Sequence, residues 1–599
     1  MPLPGPHNDR MVLDLPFSRD FPAPAIFLAG TARVGQLGSE VHARLSRLCF
    51  SCCGVSWLAA CGTDIVQTAV VQPLGPLDCS APVSLSLPND VYFGDGSEPP
   101  SSWVGRGYAG GQGPGLFVAA RDGYRVYVNG ELVTQSSAAR AAVFVPLTLL
   151  PGDNALTVIV SAKQGTPAAV LQLDELEQSY PSDSSWKVST APSGSYLKPE
   201  FDDSAWPNAS ELGVLGSLPG CDPSNFPDSS DARWIGPAPD SGSIVALRKV
   251  IHIAPTGYGA ATTGGDRAKP TVVDNWTDFQ ALASDPDAPA VIVLPEGTYD
   301  FRVAPRNQLA CPTACTSDAS KTQYTVLTTG ETCKAALVNR TRNEQRLLLG
   351  SNKTIVGLGR GAQVRGVSFE FGTAHNVIVR NLAVFDVNPD LFESGDAFGL
   401  TQPSQVWIDH STTKWISDGF DDVRTGAQNI TLSWLHYDGV SSSACSGEHT
   451  RAAEVTGATV TFHHCFFDHV QTHSPTVHDA TAQVHLFANL LSDNQAYAVG
   501  STCGAQVLLE GNTFQRVVTP TERSTCPDDT AIGKINAPVG SNYYGPDVGP
   551  HHGGDGEEPH DAVFTPPYEY DVGVPRDDWH TVFDRAGAGG PWPLPLSLD

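Results

Sequence analysis

The stretch TVTFHHCFFDHVQTHSPTVHDATAQVHLFANLL, residues 459–491, holds two short β runs of the same build, TVTFHHCFF and QVHLFANLL. The same build recurs upstream and downstream, in KTIVGLG, NVIVRNLAV, QVWIDHS, NITLSWLHY and QVLLEGNTF. Aligning these runs on Asn381, His410, Leu435, Cys465, Asn489 and Asn512 gives a spacing in the twenties. One short strand per repeat of that length is a solenoid signature. Each coil covers its inner face only by stacking on the next, so the strands pair parallel between coils. A leucine consensus is absent, which argues against leucine-rich repeats. The expected fold is all-β, with a right-handed parallel β-helix over 271–599. In that helix Asn381, Asn489 and Asn512 are expected to form a ladder of stacked amides, interrupted by a buried free thiol at Cys465.

Upstream, the pattern changes to alternating strands. YRVYVNGELVTQ (124–135) turns at Asn129-Gly130, two residues that tolerate positive φ. AVFVPLTLLPGDNALTVIVSA (142–162) reads as a further strand pair hinged at Pro151–Asn154. Residues 85–255 therefore predict a β-sandwich or jelly roll. Tyr124, Trp206 and Trp234 are candidate sugar-stacking rings, although such rings more often lie in a core. The Gly/Ala/Thr-rich stretch 256–270 reads as a linker. NWTDFQALA (275–283) predicts a short helix, and 302–346 a disulfide-tied excursion.

The N-terminal RLSRLCFSCCGVSWLAACG (44–62) has the order of a secretory signal: arginines, a short apolar run, then small residues. It resembles a lipoprotein signal with Cys61 as the lipidated residue. Residues 1–61 are assigned to this region, with translation starting near Val41, and 62–84 to a linker. Export to the cell surface or outer membrane, or secretion, follows, with the membrane reached only through the lipid anchor. Nine cysteines follow Cys61, and export makes disulfides permissible.

The chain has 599 residues, with 64 Asp plus Glu against 36 Lys plus Arg, for a formal net charge of −28. Nucleic-acid binding rests on basic patches, so this balance argues against it. An acidic polysaccharide partner needs a local cationic site or a bridging metal. A monomer is expected.

Over 270–590 the sequence resembles the pectate lyase family, polysaccharide lyase family one. The resemblance rests on LGSNKTIVGLG, NVIVRNL, VWIDH, DGFDD, ITLSW, VTFHH, VHLFANLL, LLEGNTF, TPPYEYDV and AGAGG, in that order. VYVNGELV and FDDSAW likewise resemble galactose-binding-like modules. The family resemblance implies cleavage of polygalacturonate or pectin-like glycan by β-elimination, usually with calcium. It places calcium ligands at Asp396, Asp418 and Asp422, a set of hard oxygens that suits Ca2+. A metal there would neutralise the uronate carboxylate as charge develops on it.

The family's base lies in Arg-x-Pro-x-x-Arg. Here that segment is His473-Ser474-Pro475-Thr476-Val477-His478, so both arginines are histidine. A family lysine falls near Ser441 or Ser442. Histidine is a competent base at neutral pH when its pKa is unperturbed. His473 is the expected base, and His478 its orienting or carboxylate-binding partner. Arg451, Arg424 and Lys414 are candidates for the lost positive charge. Two other readings stay open: a glycan-binding protein without turnover, and a hydrolase or lyase for another polyuronate. The hydrolase would use the aspartates as an acid–base pair.

Overall fold

The computed structural model describes residues 114–589, apart from 138–141, 164, 217–225, 227–229, 239–242, 267, 304–311, 318–322, 329–335, 342, 390–394, 441–450, 527–529 and 553–555. Cys61, the signal region, the linker 62–84 and Ser442 lie outside the described residues. So do most of the cysteines assigned to the 302–346 excursion, which contributes a three-stranded antiparallel sheet. No described helix is long and apolar enough to cross a membrane.

The first layer pair is a sandwich of two antiparallel sheets. One is built around Gly152–Ser161, which pairs with Gly123–Val128 on one side and Ile244–Ile253 on the other. The other is built around Ala169–Asp174 and Gly115–Ala120. Between the sheets lie Leu116, Val118, Val158, Val160, Leu171, Trp186 and Leu247, all essentially sealed from water. The Asn129-Gly130 turn forms as expected, with φ of 52° and 89°.

The expected pairing of the two runs within 142–162 does not form. Val143–Pro146 joins Gly115–Ala120 in one sheet, while Gly152–Ser161 crosses to the other. The crossing segment buries Leu149 between the sheets, so an apolar residue read as strand is the plug of a corner. Tyr124 and Trp234 are core residues, and Trp206 packs half-buried against Tyr196 and Phe201.

The second part is a parallel β-helix. Its three sheets contain ten, nine and eight strands among the described residues, and every pairing between coils is parallel. In the first sheet Val377, Val406, Ile430, Val460, Val484, Val507 and Ile535 stand in one register and are fully buried. This row is the axial core. Strand period 2 then sends alternate residues outward. A helix, Trp276–Ser284, closes one end; Asn275 caps it by accepting from the Asp278 N–H at 3.0 Å, and Phe279 and Ala283 are buried.

The amide ladder forms through Asn489 and Asn512 as expected, but Asn381 stands one residue out of it. Asn489 Oδ1 accepts from the Cys465 N–H at 2.8 Å, and Asn512 Oδ1 from the Asn489 N–H at 3.0 Å. Asn542 Oδ1 continues the row by accepting from the Asn512 N–H. Asn381 and His410 belong to the neighbouring position, where the backbone turns left-handed, with φ of 58° and 41°. That outer position continues through Trp434 and His464, whose rings stack at 4.3 Å. Asn is favoured at both kinds of site, once as ladder rung and once for positive φ, so the residue type alone did not separate them. Cys465 is free and buried as expected. Cys503 and Cys526 form a disulfide.

The Gly-rich stretch after the sandwich runs as a strap across successive coils of the first sheet. The Tyr258 and Gly259 amides donate to Thr461 and Thr431, and the Gly264 and Gly265 amides to Asn376 and Thr354. A Cβ on Gly264 would come within 2.2 Å of the Thr354 hydroxyl, and its φ is +59°, so glycine is needed there.

Candidate active site

The third sheet carries the site. Its strands Phe398–Leu400, Asp421–Val423, Ala453–Thr456 and Thr476–His478 stack in register. Asp422 stands beside Glu454, and Glu454 beside Thr476, while Thr456 stands beside His478. Asp396, Asp418, Arg451 and His473 lie in the turns just before these strands. Asp418 is thus in a bend, not in the strand of Asp422, yet both reach the same groove. A cavity of about 390 Å³ is lined by Asp396, Asp418, Asp422, Arg424, Arg451 and Glu454. A second, of about 210 Å³, is lined by His473, His478, Tyr497 and Glu522 among others.

Asp421 lines the groove cavity, but its carboxylate is turned into the core. It stands in register with Phe398 and Ala453 and is fully buried. The Tyr437 hydroxyl donates to its Oδ2. Burial nevertheless pushes its carboxyl up to about 7, against the lowering by that hydrogen bond.

The acidic groups at the surface of the groove meet arginine. Arg424 Nε donates to Asp422 Oδ2 at 2.7 Å, and Arg451 Nη1 lies 3.7 Å from Asp418 Oδ1. Asp396 Oδ1 accepts from the Gly419 N–H at 3.0 Å. Burial, then the Asp418 and Asp422 charges, push the Asp396 carboxyl well above the usual range. Lys414 is engaged elsewhere, donating to Asp438 at 2.6 Å within the second sheet.

The expected calcium ligands line one groove, and Asp422 and Asp418 stand there beside Arg424 and Arg451. Two oxygens bound to one calcium at about 2.4 Å each are at most about 4.8 Å apart. Among the described residues, three groups gather donor atoms within 4.8 Å of one another: Glu454–His473–His478, Glu177–Asp409–His410 and Asp468–His469–Asp493. Asp396, Asp418 and Asp422 are three carboxylates on one groove, the hard-oxygen donor type that suits calcium.

The histidines meet in the groove but differ in character. His473 is in a left-handed turn, φ 57°, with Nδ1 at 2.7 Å from the Thr472 hydroxyl and 3.2 Å from that of Tyr497. Burial, then the positive charge of Arg451, lowers its pKa to about 3. It stays neutral at ordinary pH but is a much weaker base than an unperturbed imidazole. His478 Nε2 lies 3.6 Å from Glu454 Oε1, with both side chains part-exposed. Glu454 and Tyr497 were missed from sequence. Glu454 lies 24 residues before His478, one coil period, and that spacing was the available signal.

Three other histidines are held by neighbouring side chains. His410 Nδ1 is 2.8 Å from the buried Asp409, and His485 lies between Tyr568 and Glu510. His551 lies 2.8 Å from the Thr521 hydroxyl.

Residues 319–539 match the family model described as pectate lyase. The chain is 29% identical over 283 residues to a probable pectin lyase F-2 from Aspergillus terreus, covering 44% of this chain and 58% of that one. It is 30% identical over 318 residues to a probable pectin lyase A from the same species, covering 51% of this chain and 83% of that one. It is also similar to a crystal structure of a pectate lyase from Bacillus sp. N165 in complex with trigalacturonate, at 20% identity and TM-score 0.40, covering 56% of this chain and 99% of that one. The sandwich lies outside the family match. With the sequence match to pectin lyase A spanning most of that protein, the chain belongs to the pectate and pectin lyase family of polysaccharide lyases.

Proposed function

We propose that the chain cleaves pectin-like glycan by β-elimination in the groove between Asp396 and His478, with Arg451 in the charge-neutralising role that calcium takes in the family. The observation that carries this is the His478–Glu454 pair at 3.6 Å on the groove floor. Elimination removes the proton on the carbon next to the uronyl carboxyl group, and the leaving oxygen departs from the neighbouring carbon. His478 is the proton acceptor in this reading, with Glu454 stabilising the imidazolium that forms. This revises the expectation that His473 is the base, because Arg451 opposes protonation there. His473 serves as a neutral hydrogen-bonding group, held by Thr472 and Tyr497. Arg451 faces the charge that develops on the substrate carboxyl oxygen, the electrostatic role that a metal would otherwise take.

A pectin with many esterified carboxyls suits a chain of net charge −28 better than a polyanion does. The relatives named as pectin lyases support the same substrate class. Export, with a lipid anchor at Cys61, completes the reading, since polymeric glycan is met outside the cell.

One observation favours a second reading. Burial and the neighbouring Asp418 and Asp422 charges push the Asp396 carboxyl well above the usual range, the kind of split in acidity that glycoside hydrolysis uses. Product analysis separates the two. Digestion of pectin and of polygalacturonate, with a chelator present, is expected to yield unsaturated ends on pectin. Saturated ends alone would replace elimination by hydrolysis.

A further inference from the structure

Glu454, His473 and His478 place one donor atom each within 4.8 Å of one another, and all three are part-exposed to the groove. The two other groups with this property lie elsewhere: Asp409 and His410 are sealed in the first sheet, and Asp468–His469–Asp493 belongs to the second. Two imidazoles and one carboxylate form a donor set that suits zinc and its first-row neighbours, not calcium. The separation between His478 Nε2 and Glu454 Oε1, 3.6 Å, is too long for a hydrogen bond. It is close to the edge of a tetrahedron with bonds of about 2.1 Å, which is about 3.4 Å.

The surroundings complete the case. The His473 ring is fixed through Nδ1 by the Thr472 and Tyr497 hydroxyls, the kind of outer support that orients metal-binding imidazoles. Tyr497 in turn contacts Thr476 on the strand of His478, at 3.0 Å. Arg451 faces the group with positive charge and works against a cation. Asp418 lies beside Arg451 at 3.7 Å, and Glu522 lines the histidine cavity. Both offset that charge.

We infer that Glu454, His473 and His478 form a divalent transition-metal site, and that a metal bound there blocks proton abstraction and so inhibits the lyase. The inhibition rests on the proposed role of His478; the binding does not. A metal ion on these three groups takes the imidazole lone pair that would otherwise accept the substrate proton, and no bond of the substrate is made or broken. Zinc would thus act as a reversible brake on the groove.

The test is calorimetric titration of the folded full chain with zinc, in parallel with visible absorption on adding cobalt. One saturable zinc equivalent is expected, and cobalt bands of a low-symmetry nitrogen–oxygen site. Glu454→Gln, which keeps the shape of the side chain, and His478→Ala should each weaken binding by more than about tenfold. Zinc should halt turnover in the wild type, and chelator should restore it. Binding that is absent in folded protein, or unchanged in both variants, would overturn the site; the latter would point to Asp468–His469–Asp493 instead. Binding without loss of turnover would overturn the brake. A chain that binds zinc through these residues but never cleaves pectin keeps the site and removes only the proposed activity.

Discussion

His478 and Glu454 face each other at 3.6 Å from adjacent coils of the third sheet, while His473, five residues earlier, lies in the field of Arg451. The family pattern pointed to His473 as the replacement for the lost arginine. The coil stacking gives the carboxylate to His478 and the guanidinium to His473. The same residue type thus has two chemical characters, set by which coil lies next to it.

Arg451 is the group that keeps His473 neutral, after burial itself. Arg451→Gln should raise the pKa of His473 from about 3 toward the ordinary histidine range, read by NMR titration of the ring. The same variant leaves Asp418 without its guanidinium. KM for pectin should rise by roughly tenfold at low salt, with a smaller effect at high salt. An unmoved titration would remove Arg451 from the account of His473.

Asp421 makes stability depend on pH. Its carboxyl is pushed up to about 7 in the fold, against an ordinary value of 3.8. A folded pKa above the unfolded one means the stabilisation is complete below about pH 4 and is lost as pH rises through about 7. Asp421→Asn, which cannot ionise, should therefore unfold at a temperature that changes less between pH 4 and pH 8 than the wild type. Differential scanning calorimetry across that range checks it, and parallel curves for the two proteins would refute it.

Arg380 ties the sandwich to the solenoid. Its Nε donates to Asp409 at 2.7 Å, its Nη1 donates to the Leu149 carbonyl at 3.1 Å, and Glu175 is 3.4 Å away. All of these side chains are buried. Burial alone would raise the Asp409 pKa, but His410 and Arg380 outweigh it and hold that carboxyl well below the usual range. Arg380→Met should cost about 3–5 kcal/mol, because it removes the buried guanidinium that Asp409 and Glu175 share. Urea unfolding measures this, and a loss below 1 kcal/mol would mean that the acids find other partners.

The solenoid was legible because its inner row is apolar at a fixed period: Val406, Ile430, Val460 and Val484 repeat one choice. Asn489, Asn512 and the free Cys465 were legible for the same reason, being rungs of that period. Asn381 and His410 were placed one residue out, because asparagine also satisfies the left-handed turn next to the ladder. The corner at Leu149 was read as strand because an apolar plug and an apolar strand look alike over five residues. The calcium set was carried from a motif, and a motif does not register that Arg424 and Arg451 reach the same carboxylates. The acidity of His473 was beyond sequence reading for a similar reason: its neighbour Arg451 is 22 residues away in the chain and one coil away in space.

The most direct measurement is the initial rate of unsaturated uronide formation on pectin, followed by ultraviolet absorbance with chelator present, for wild type, His478→Ala, His473→Ala and Glu454→Gln. General-base removal costs about 10²–10⁴-fold. His478→Ala should lose that much, Glu454→Gln about tenfold, and His473→Ala less than His478→Ala. A wild type that turns over while His478→Ala retains its full rate would contradict the assignment of His478 as the base.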